Sequence, residues 1–62
     1  MTEILSLHAQ EALAAELKLQ DCYRKMVTKA KDPKVKAVIH DLLLMEELNE
    51  VLLRSIKQNL QP

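Results

Sequence analysis

Sixty-two residues allow one domain at most, and so short a chain exposes too much surface for a self-sufficient core unless a staple or a partner is added. Charge balances at nine of each sign, which excludes a basic nucleic-acid footprint or an acidic tail, and the single Cys22 excludes an internal disulfide. No stretch approaches the ~18 uncharged apolar residues of a membrane span, and no signal-peptide pattern opens the chain, so a soluble protein of the reducing cytoplasm is expected.

Glycine is absent, Tyr23 is the only aromatic and 48% of residues are apolar, a composition suited to helices. Thr2-Glu3 reads as a cap followed by a first-turn acid and opens a first helix expected over about 2 to 30. Lys29 and Lys31 stand at its end, where cations complement the negative pole of the helix dipole. The one break is Lys31-Asp32-Pro33. Asp32 is a good N-cap and Pro33 suits the first helical position, because its φ is already helical and its missing N–H would have no partner there. A second helix is expected over about 33 to 60. A connection of residues 31 to 33 leaves the helices no choice but to run antiparallel, so the fold class is all-α: one helical hairpin.

Leu5, Ala9, Ala12, Glu16, Leu19, Tyr23, Met26 and Ala30 follow an unbroken alternation of four and three along the first helix, the spacing of a seam that faces a partner. Val35, Ile39, Leu42, Glu46, Asn49, Leu53, Ile56 and Leu60 do the same along the second. Such a hairpin is expected to pair with a second copy as a four-helix bundle. Folding about residues 31 to 33 brings position 16 to the height of positions 46 to 49, which puts three inward polar residues in one layer at mid-bundle.

A carboxylate in a low-dielectric interior costs several kcal/mol unless it is protonated, paired or bound to a cation. No lysine or arginine stands on either seam at that height, and dimerisation gathers four glutamates and two asparagines around one axis. Hard divalent cations, Fe²⁺ or Mn²⁺, favour such oxygens and are held in pairs by bridging carboxylates.

The residues carry a resemblance at this point. Glu16 followed seven residues later by Tyr23, Glu46-Glu47-Leu48-Asn49, and the thirty-residue gap between Glu16 and Glu46 resemble the ferritin-like pattern, in particular the single-hairpin encapsulated ferritins and, nearly, the rubrerythrins. The resemblance spans about residues 8 to 55. It implies a di-iron site built between two chains, with Glu16 and Glu46 as ligands, Tyr23 as a hydrogen-bonding or redox-active neighbour, and oxidation of Fe²⁺ by O₂ or peroxide. The family's Glu-x-x-His turn has asparagine here in the histidine place, and Asn49 offers a weaker carbonyl oxygen. The resemblance also brings an encapsulin shell into view as a partner, although the chain carries no recognisable targeting peptide. The alternative is a non-enzymatic homo-oligomeric helical module with a structural or vestigial metal site.

Glu50 flanks the second seam as an additional candidate ligand, while Glu47 reads as solvated. His8, at the edge of the first seam, and His40, on the outer side of the second helix, read as surface or interface histidines. Cys22 reads as a half-buried apolar residue. Leu44, Leu48 and Val51, with Leu13 and Leu17, form an outward stripe that suggests further assembly.

Overall fold

The chain reverses where the sequence breaks. The computed structural model describes residues 1–60 as two long helices, α1 (Thr2–Lys29) and α2 (Pro33–Leu60), packed side by side along their whole length. The helical hairpin is 47 Å long and 14 Å by 12 Å across. Ala30 leaves the helical conformation with φ −70° and ψ 131°, and its N–H donates to the Met26 carbonyl. Asp32 then caps α2 as expected: the Lys34 N–H donates to its carboxylate at 2.8 Å and the Lys36 N–H to its backbone oxygen at 3.0 Å. The start of α1 differs from expectation. Met1 is the capping residue, without a side-chain hydrogen bond, and Thr2 is already inside the helix, with Glu3 in the first turn. Neither helix is long and apolar enough to cross a membrane.

The helices meet along a line that the expected seams only half describe. Along α1 and its cap, Ala9, Leu13 and Gln20 are buried, and Glu16, Tyr23, Val27 and Ala30 continue the line as half-buried residues. In α2 the line runs through the buried Ile39 and the half-buried Leu43, Glu46, Glu50, Leu53, Lys57 and Leu60. Of the expected seams, Ala9, Ala12, Glu16, Tyr23, Ala30, Ile39, Leu42, Glu46, Asn49, Leu53 and Leu60 are buried or half-buried. Leu5, Leu19, Met26, Val35 and Ile56 are not: all are exposed, Leu5 by 52% and Leu19 by 40%. Leu13, expected on the outside, is instead in the core. The cause is the width of the apolar arc. Two four-three lines one residue apart fit the same helix and share every second member, and the hairpin uses one of them, leaving the other outward.

Candidate functional site

The waist of the hairpin is organised by Gln20, which is 2% exposed. Its amide nitrogen donates to the Glu46 backbone carbonyl at 3.3 Å and to Glu50 Oε1 at 2.9 Å, and its oxygen accepts from Arg24 Nη2 at 3.2 Å. Arg54 closes the other side of Glu50, its Nε and Nη2 each 2.9 Å from Oε2. The hydrogen bond from Gln20, then that from Arg54, hold the Glu50 carboxyl below its ordinary pKa. Arg24 also spans the two helices to Glu47 at 3.7 Å. Both oxygens of Glu50 thus have side-chain partners within the chain. Glu47 is half-buried and paired rather than fully solvated. Sequence reasoning missed Gln20 because its seam took position 19; placing 20 on the line Ala9, Leu13, Glu16, Tyr23, Val27 is the signal that finds it.

Glu16 and Glu46 present the opposite situation. Each is half-buried on the contact line, yet Oε2 of each is sealed from solvent with no hydrogen-bond partner. An ionised oxygen in that position forfeits its hydration with nothing in return. Asn49 stands one turn beyond Glu46 and Tyr23 two turns beyond Glu16, both half-buried. Carboxylate and amide oxygens suit a hard cation, so the donor types fit the expected metal. The number does not: among the described residues no three His, Cys, Asp or Glu side chains are gathered closely enough to hold an ion.

The remaining candidates lie outside this waist. His8 is exposed, 3.8 Å from Glu11 Oε1, and His40 is exposed on α2. Cys22 is a free and exposed cysteine, not a half-buried one. Exposure follows from its place on the outward line rather than the contact line.

That outward line is the other feature of the site. Turning from the contact line toward Arg24 and Glu47 reaches the charged flank; turning the other way reaches a groove of about 410 Å³ near the loop, lined by Cys22, Lys25, Met26, Lys29, Ala30, Val35 and Ile39. Cys22 and Met26 of α1 and Val35 of α2 therefore share one flank of the hairpin. At 3.6 residues per turn the same flank carries Leu5, His8, Ala12, Ala15 and Leu19 of α1, and Val38, Leu42, Met45, Asn49, Leu52 and Ile56 of α2. No Asp, Glu, Lys or Arg interrupts these two stripes, and Lys25 and Lys29 border them at the groove. Leu44, Leu48 and Val51 are also exposed, on the back of α2.

No family model, no curated protein and no solved structure matches the chain.

Proposed function

We propose that the chain is one half of a ferritin-like four-helix bundle, completed by a second copy, and that the joined waist binds divalent iron between the glutamates of both chains for oxidation or other iron handling. The observation that carries this reading is the pair of sealed, partnerless Oε2 atoms on Glu16 and Glu46, beside two side-by-side stripes with no formal charge. Pairing two such flanks doubles the donor set without adding a residue. Glu16 and Glu46 of each chain would hold the metal, with Asn49 as the weaker oxygen donor, and Mn²⁺ is the alternative occupant. Bound there, iron supplies the one-electron chemistry that oxidation of Fe²⁺ by O₂ or peroxide requires.

The chain's own residues have separate tasks in this reading. Gln20 fixes α2 against α1 at the height of the glutamates by gripping the Glu46 carbonyl, so the Glu46 side chain starts from a set backbone position. Arg24 and Arg54 hold Glu47 and Glu50 to the charged flank, which leaves Glu16 and Glu46 as the carboxylates free to turn to a cation. The apolar flank, once covered, keeps water from the waist. Tyr23, two turns along the same line, is the nearest aromatic hydroxyl in sequence.

Anaerobic titration with Fe²⁺ followed by oxygen tests the reading. It predicts saturation near one metal per chain, a ferric absorbance on oxygenation, and a melting temperature raised by metal in the natural chain but not in Glu16→Gln/Glu46→Gln. Absence of stoichiometric binding removes the iron role. A non-enzymatic helical module is then what stands, favoured by the Gln20 network, which sets helix register with no metal at all. In that case the double substitution stabilises the assembly by removing two buried charges per chain.

A further inference from the structure

Charge is distributed unevenly along the hairpin. The loop half, residues 17–45, holds seven of the nine cations, Lys18, Arg24, Lys25, Lys29, Lys31, Lys34 and Lys36, against Asp21, Asp32 and Asp41. The net charge there is +4. The open half, residues 1–15 and 47–60, holds four acids, Glu3, Glu11, Glu47 and Glu50, against Arg54 and Lys57, for a net −2.

A second copy can cover the apolar flank by either of two two-fold axes. With the axis along the bundle, the loop ends lie together. With the axis across it, each loop end lies over the partner's open end. Both place helices antiparallel to their neighbours, and both superpose the waists, because Glu16 and Glu46 stand at the midpoints of α1 (Thr2–Lys29) and α2 (Pro33–Leu60). Helix dipoles and the glutamate layer therefore do not choose between them. Side-chain charge does. Helices pack ~8–10 Å apart, about one Debye length at physiological salt. Loop halves placed together would confront +4 with +4, whereas crossing them sets +4 against −2.

We infer that the two copies join on the uncharged flank about an axis perpendicular to the bundle, so that the loop-end groove beside Cys22, Met26 and Val35 is filled by Ile4 and Leu5 of the second copy. The heights agree. Met26 lies as far beyond the midpoint of α1 as Leu5 lies before it, and Cys22 mirrors Ala9 in the same way. Ile4 and Leu5 are exposed in the single hairpin, at the opposite end from the groove. The flank measures about 47 Å by 14 Å between backbone limits, comparable with the ~800 Å² per partner of a stable interface. In this arrangement Glu16 faces the partner's Glu16 and Glu46 the partner's Glu46, whereas loop ends together would set Glu16 against the partner's Glu46. The inference rests on the dimer proposed above and fixes which donors meet.

The test is Leu5→Cys with Met26→Cys in a Cys22→Ser background, oxidised mildly and run without reductant. Positions 5 and 26 are ~30 Å apart along one helix at ~1.5 Å per residue, so a disulfide between them joins two chains. The expected result is a covalent dimer from the paired variant and none from either single variant. A dimer by light scattering that fails to cross-link, or cross-links in a single variant, overturns the crossed arrangement and leaves the dimer standing. A monomer by light scattering removes the dimer itself. Should the variants fail to fold, the natural chain decides. Crossed copies bind more weakly from 20 to 500 mM NaCl, on the order of threefold as the ends are screened, and copies with loop ends together bind more tightly.

Discussion

The two flanks of this hairpin differ more than its two helices do. On one flank Gln20, Arg24, Glu47, Glu50 and Arg54 form a closed set of hydrogen bonds and ion pairs that a single chain completes by itself. On the other, two continuous stripes from Leu5 to Met26 and from Val35 to Ile56 carry no formal charge and are exposed except at the half-buried Ala12, Leu42 and Asn49. Between them Glu16 and Glu46 each keep a sealed oxygen without a partner. The contrast separates polar groups that the hairpin satisfies by itself from two on its contact line that it does not.

Charging the open flank should have the largest effect. Leu19→Glu with Met45→Glu is expected to abolish association, and because among the described residues only Ala9, Leu13 and Ile39 are buried apolar side chains within one chain, the helical signal should melt without a cooperative transition. Circular dichroism and light scattering together check this. A monomer that stays cooperatively folded would break the contrast, since the hairpin would then need no cover. The closed flank responds less. Gln20→Leu leaves Glu50 and the Glu46 carbonyl without their buried donor and is expected to cost about 1–2 kcal/mol in denaturant unfolding, while leaving the assembled mass unchanged. A change in mass would mean that the two flanks are not independent.

The smallest effect is a pH dependence. Glu50 has its pKa lowered by the hydrogen bonds from Gln20 and Arg54, so its ionised form is favoured in the folded state. That contribution is complete above the ordinary glutamate value of about 4.3 and is lost as pH falls through the lowered value in the folded chain. The acid limb of the stability curve should therefore be shallower in Glu50→Gln than in the natural chain. Equal slopes would place the acid response elsewhere in the molecule.

The hairpin itself was legible in the sequence because local chemistry decides it. Lys31-Asp32-Pro33 is the one break in the chain, and Asp32 caps the second helix by the bonds its carboxylate was expected to accept. The inward positions of Glu16, Glu46, Tyr23 and Ile39 also followed from spacing. Leu5, Leu19, Met26, Val35 and Ile56 stand off the line where the two helices of one chain meet, because spacing alone ranks two parallel lines equally and only the packing of one helix on the other chooses between them. Gln20 was overlooked for the same reason, being polar and one position from the line that spacing favoured. Arg24 and Arg54 lie off both seams, and their reach toward Glu47 and Glu50 depends on long side chains that periodicity does not locate.

Native mass spectrometry of the purified chain, before and after chelation and reloading with Fe²⁺, tests the central claim in one spectrum. The account predicts a species of twice the 7.1 kDa chain mass that carries iron, loses it to chelator and regains it, with no iron retained by Glu16→Gln/Glu46→Gln. A natural chain that flies as a monomer, or as a dimer indifferent to the metal, would contradict it.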